Sequence, residues 1–172
     1  MIRRTTIPTP DTPPGGVTRY RDRIFDDLRH DPYQARGKYK EPAVCSDCKA
    51  VLRRGTWRWM SAAAGAVVAR CPACQRVRDK LPAGYVILEG EFPKKHRDEL
   101  LRLVRNEGES ERREHALHRI MDIEEHPDRI VVSTTDIHSP RRIGHALERA
   151  YRGELELDYG EDEYSVRVRW QR

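Results

Sequence analysis

The chain has 172 residues, 37% hydrophobic and 35% charged, with a mean hydropathy of -0.85. So thin a core for the length argues against one large enzyme-sized domain with a deep pocket and for small, well-solvated modules. The net charge of +5 is uneven: residues 1–92 carry +7 and residues 93–172 carry -2, so a polyanionic partner is expected to meet the first part.

Residues 1–18 mix Pro, Gly and Thr with few large apolar groups and cannot offset their ordering entropy by burial, which predicts a disordered tail. The opening Met-Ile-Arg-Arg-Thr-Thr is basic but runs into Pro and Thr, so it is not read as a signal peptide. Tyr20, Ile24, Phe25 and Leu28 then recur at near-helical spacing before Asp31-Pro32, which predicts a short helix over 19–29 ended there. With the basic, irregular residues after Pro32 these make a first segment, 1–40. No stretch approaches the roughly 20 apolar residues of a membrane span, the longest candidate being Ala62 to Ala69.

The second segment, 41–92, holds the only four cysteines, as Cys45-Ser-Asp-Cys48 and, after 22 intervening residues, Cys71-Pro-Ala-Cys74. Two C-x-x-C pairs at such a separation aim four thiolates at one point, so one zinc ion held by Cys45, Cys48, Cys71 and Cys74 in a zinc ribbon is expected. The competing readings are a dithiol redox pair and free buried cysteines; a redox C-x-x-C opens a helix after a strand and needs no second copy. Four cysteine ligands leave no position for a catalytic water, so the ion would be structural. In a cytoplasmic setting, the expected location, such cysteines bind metal rather than pair.

Around these knuckles Lys49, Arg53, Arg54, Arg58, Arg70, Arg76, Arg78 and Lys80 stand against only Asp47 and Asp79. A zinc tetrathiolate contributes about -2 and leaves the module positive, so these residues are the candidate RNA contacts. The chain holds 27 arginines to 6 lysines, which suits forked phosphate binding but equally follows from GC-rich coding. Trp57 and Trp59 flank Arg58 and would share one face of a strand, either as the ribbon's small core or as a base-stacking platform. Residues 61–68 read as a loop or short helix, 74–80 as a basic exit from the second knuckle, and 81–90 as a turn and a strand.

The third segment, 93–172, reads as αββαββ. Leu100, Leu101 and Val104 mark a helix over 94–106 that ends at Asn106-Glu107-Gly108, and 109–116 continues it or forms a loop. Residues 119–125 and 129–136 form a hairpin. Ser139-Pro140 opens a second helix, with Ser as cap, to Gly153, and 154–159 with 164–170 form a second hairpin. Two helices on one face of a four-stranded antiparallel sheet would close the core, giving an α+β chain overall.

Cys-Pro-Ala-Cys-Gln-Arg from Cys71, Pro-Ala-Gly-Tyr-Val-Ile-Leu-Glu-Gly-Glu-Phe from Pro82, Val-Val-Ser-Thr-Thr-Asp-Ile-His from Val131 and Arg-Arg-Ile-Gly-His-Ala-Leu from Arg141 resemble an uncharacterised group of short bacterial zinc-ribbon proteins, over about residues 40–172. That group resembles the amino-terminal part of the Nmd-three family of large-ribosomal-subunit export adaptors. The resemblance implies zinc, a ribosome or structured-RNA partner and no catalysis. The chain departs from the adaptors in having a single four-cysteine site and no domain after Trp170. Bacteria export nothing from a nucleus, so a shared role would be subunit binding, hibernation or assembly.

Two functional classes follow. One is a non-enzymatic RNA- or ribosome-binding adaptor acting in translation, with the basic ribbon as electrostatic contact and the acid-leaning third segment docking a ribosomal protein or an rRNA edge. The other is a zinc-ribbon transcriptional regulator that binds DNA or RNA polymerase, which the lack of a helix-turn-helix pattern disfavours. Neither takes a small-molecule substrate. Asp136 and His138 could orient a general base or hold a second metal, but Asp at a strand-to-helix turn also serves as a plain cap, and no nucleophile or third ligand accompanies them. His96, His115, His118, His126 and His145 form no H-x-x-x-H pairing with an acid.

Overall fold

A computed structural model describes residue 31, residue 33, residues 39–159 and residues 164–172. The tail and helix expected within 1–30 lie outside the described residues. The rest is α+β, with two sheets.

The first sheet is built from four three-residue strands: β1 (Ala43–Cys45), β2 (Val51–Arg53), β3 (Thr56–Arg58) and β4 (Val67–Ala69). Their order is β3-β2-β1-β4, antiparallel except for β1 beside β4. Arg53 pairs with Thr56, so Arg54 and Gly55 alone make the turn; both have positive φ, 54° and 75°, as a two-residue hairpin with right-twisted strands requires. The second cysteine pair opens α1 (Pro72–Asp79), a helix where the sequence predicted only a basic exit.

The second sheet contains β5 (Gly84–Glu89), β6 (Ile120–Glu125), β7 (Arg129–Thr134), β8 (Glu154–Tyr159) and β9 (Val166–Gln171). The helices are α2 (Glu91–Lys95), α3 (Arg97–Glu114) and α4 (His138–Tyr151). The four strands expected after residue 93 are present, but the sheet they form has a fifth, β5, in the order β6-β7-β5-β9-β8, and it is not wholly antiparallel, because β5 pairs with β9 in parallel. The strand over 84–89, grouped with the ribbon in the sequence, is the centre of this sheet. The two αββ units flank it, each placing the second strand of its hairpin against β5.

Registry explains the core. Val86 lies between Val132 and Val168, and Leu88 between Ile130 and Trp170, so every second residue of the three inner strands faces one side. These side chains are buried with Leu100, Leu101 and Val104 of α3 and Ile143 and Leu147 of α4. Trp170 is fully buried and donates its indole N–H to the Arg152 carbonyl at 2.8 Å.

α3 does not stop at Gly108. It runs eighteen residues, and Gly108 is buried within it because the side chain of Ile120 on β6 lies where a Cβ would be. The residue that reads as a helix terminator is a close-packing point. Gly108→Leu is expected to lower stability by about 1–3 kcal/mol through overpacking, despite leucine's better helix propensity, as read by thermal melting. An unchanged melting temperature would remove this role. At the start of α4 the cap is Asp136 rather than Ser139: its Oδ1 accepts from the N–H groups of His138 (2.8 Å) and Ser139 (2.7 Å), and its Oδ2 from the Ser139 hydroxyl (2.7 Å).

Candidate metal centre

Cys45 ends β1, and the chain turns back at once: the Lys49 N–H reaches the Cys45 carbonyl, the Cys45 N–H reaches Ala50, and Lys49 adopts a left-handed φ of 67°. That turn swings Cys48 to the side of the sheet on which Cys45 lies. The second pair is shaped by a helix start, since Cys71 is the N-cap of α1, Pro72 occupies its first position, and the Cys71 Sγ accepts from the Cys74 N–H at 3.4 Å. The Cys45 Sγ accepts from the Cys71 N–H at 3.3 Å, which ties the knuckles together.

The four sulfurs lie within 4.8 Å of one another, and Cys45, Cys71 and Cys74 are buried. Cys48 and Cys71 are 3.7 Å apart at Sγ, close to the edge of about 3.8 Å that metal–sulfur bonds of about 2.3 Å give in a tetrahedron. A disulfide would need about 2.05 Å. A redox motif opens a helix after a strand, and the second pair does open one, α1, after β4. The convergence of four sulfurs, not the local motif, is what makes this a cluster that could hold a metal ion.

No family model, curated protein or solved structure matches this chain.

A fifth residue belongs to the centre, and nothing in the cysteine spacing signals it. Arg119, just before β6 of the second sheet, donates from Nη2 to the Cys48 Sγ at 3.0 Å, from Nη1 to the Cys74 Sγ at 3.2 Å, and from Nη2 to the Cys71 Sγ at 3.7 Å. Its Nε and Nη2 also reach the Ala116 carbonyl, at 3.0 and 2.7 Å. The hydrogen bond from Cys71, with help from Arg119, holds Cys48 down to about 4, in favour of the thiolate. Burial pushes Cys74 up, and Arg119 opposes it. On Arg119 itself burial works against the charge, but the bonds to Cys48 and Cys74 outweigh it, so the guanidinium stays charged. Around a divalent metal held by four thiolates, with a formal charge of about -2, this cation would offset part of the excess charge.

The two tryptophans part company. Trp57 is 6% exposed, meets Tyr39 edge-on at 5.5 Å and belongs to the small core of Ala43, Leu52, Cys71 and Ala73, so it is a core residue. Trp59 lies just past the end of β3 and is 37% exposed. Its Nε1–H donates to the Arg112 carbonyl at 2.5 Å, and the guanidinium groups of Arg112 and Arg119 lie 5.9 and 5.5 Å from its ring centre. It fastens the ribbon to α3.

The candidate RNA contacts divide similarly. Lys49, Arg53, Arg54, Arg58, Arg78 and Lys80 are exposed, and Arg70 is half-buried and paired with Asp47 at 2.7 Å. Arg76 does not face solvent. It is 5% exposed, ion-paired with Asp31 at 2.7 Å, hydrogen-bonded to the Leu81 carbonyl, and set over the rings of Tyr33 and Tyr164. Its place on the inner side of α1 makes it a structural cation. Arg53, Arg54 and Arg58 are grouped by the β2–β3 hairpin and make no ion pair among the described residues. Beside them a cleft of about 960 Å³ opens between β3 and the end of α3, lined by Tyr39, Arg58, Trp59, Arg113 and His115 among others.

Proposed function

We propose that the protein is a non-enzymatic zinc-ribbon RNA-binding adaptor acting at the ribosome, on the large subunit or its assembly, in the cytoplasm. The observation that carries this reading is the exposed arginine hairpin, with Arg53, Arg54 and Arg58, next to a cleft that mixes aromatic and cationic walls. Unpaired guanidiniums suit phosphates, and a cleft with ring and guanidinium planes suits unstacked bases. Zinc is the proposed ion because a closed set of four thiolates favours it and the sulfur separation suits its bond length. Four sulfurs leave that ion no open position, which supports a structural role. The resemblance to the Nmd-three type adaptors favours a ribosomal partner. No described helix is long and apolar enough to cross a membrane.

The experiment is filter binding of ribosomal subunits and of generic duplex DNA across a salt series, with the native protein and with Arg53→Glu, Arg54→Glu and Arg58→Glu combined. Arg76 is left intact because its reversal would bury an unpaired charge. Subunit binding is expected to weaken at least tenfold in the variant, and the logarithmic salt slope to drop by about two to three, at 0.7 to 0.9 per lost phosphate contact. Metal content serves as the folding control. Undiminished subunit binding would remove the hairpin as the contact, and preference for the duplex would favour a transcription factor.

A further inference from the structure

Glu111 lies in the last turn of α3, and His115 is the extended residue that ends the helix, its N–H on the Glu111 carbonyl at 2.8 Å. The chain then folds back, with the His118 N–H on the His115 carbonyl at 3.0 Å, and brings a second imidazole to the same point. One ligand atom from each of Glu111, His115 and His118 lies within 4.8 Å of the other two. We propose that these three residues form a second metal site, for a borderline divalent cation of the Zn²⁺ class, open on one side and separate from the four cysteines.

Two imidazoles and a carboxylate are a donor set that such ions accept. The Glu111 Oε2 and the His118 Nδ1 are 2.9 Å apart, the separation that two ligands about 2.0–2.1 Å from one ion make at a right angle. Arg142 takes the other oxygen of Glu111 at 2.6 Å, which fixes the carboxylate and leaves Oε2 as the ligating atom. Glu111 is 4% exposed, so its oxygens are held in place. His138 stacks on His118, with ring centres 5.4 Å apart, and limits the turning of that imidazole. Three protein ligands leave coordination positions free, and these face an open cavity of about 490 Å³ whose other walls include His138, Arg141, Arg142 and His145. A water or a small anion would complete the sphere there. This site does not depend on the RNA-binding reading.

The test is equilibrium dialysis of the full chain against buffered Zn²⁺, with metal counted per chain, and against Co²⁺ with its absorption recorded. The native protein is expected to hold two ions. His115→Ala, a change at an exposed position, should lose one ion while keeping the intense sulfur-to-cobalt absorption of the four-cysteine centre, and His118→Ala should do the same. His145→Ala, on the cavity wall, should keep both. The retained sulfur-to-cobalt band and circular dichroism report folding. A native stoichiometry of one would overturn the proposal and leave Glu111 and His118 as a simple hydrogen-bonded pair. Retention of two ions by His115→Ala, or loss of one by His145→Ala, would overturn the ligand assignment.

Discussion

Removal of the metal is expected to unfold residues 43–79 and to leave the second sheet intact. The first module has little core apart from its ligands: of the nine residues in its buried cluster, three are Cys45, Cys71 and Cys74, one, Ala116, comes from the chain after α3, and only Leu52 and Trp57 bring large side chains. Strands of three residues cannot stand alone. Most of the folding free energy of this module should therefore be metal-binding free energy, about 10 kcal/mol or more. The second sheet has its own core of Val86, Leu88, Ile130, Val132, Val168 and Trp170 under two helices. Hydrogen exchange after chelation should show fast exchange across β1 to β4 and α1, with β5, β7 and β9 still protected. Cys45→Ser should reproduce the pattern without a chelator. Continued protection of 43–79 in metal-free protein would sink the idea.

Loss of the Arg119 guanidinium should loosen the metal although Arg119 is not a ligand. It is the donor that reaches three sulfurs from the second sheet, and removing such an outer partner typically costs 10–100-fold in metal affinity. Arg119→Ala is expected to fall in that range when the protein competes for metal with a chromophoric chelator. The backbone of Arg119 should hold its place, because its N–H donates to the Thr135 hydroxyl and its carbonyl accepts from the Thr135 N–H. Arg119→Lys should restore little, since one ammonium cannot span the bonds that Nη1 and Nη2 make to different cysteines. Arg119→Ala also removes a cation from the Trp59 ring, so the ribbon should dock less firmly on α3 in that variant, read as faster exchange at 110–118. Unchanged metal affinity in both variants would show that the contact is incidental.

The four-cysteine cluster was legible in the sequence because C-x-x-C turns are local: a few residues aim each pair, and the presence of only four cysteines leaves little choice of partners. The helices and hairpins of the last eighty residues were legible for a similar reason, since period-two and period-3.6 patterns report which face of an element is buried. Those patterns do not say which strands meet. β5 has the alternation of any half-buried strand, and only packing sets it between β7 and β9. Gly108 reads as a stop because glycine is a poor helix former, whereas the approach of Ile120 gives it a use inside the helix. Charge was the least legible property. Arg76 and Arg53 look alike in a count of basic residues, yet one is buried against Asp31 and the other is exposed on a hairpin. Arg119 acts on cysteines 45 to 71 residues away, and Glu111, His115 and His118 meet only because the chain reverses after α3. What the sequence by itself determined was the helices and hairpins after residue 93, in outline, and the pairing of the cysteines into one cluster. The tertiary structure alone decided which cations serve the metal, the core or the surface, because a long charged side chain takes its role from whatever lies within its reach.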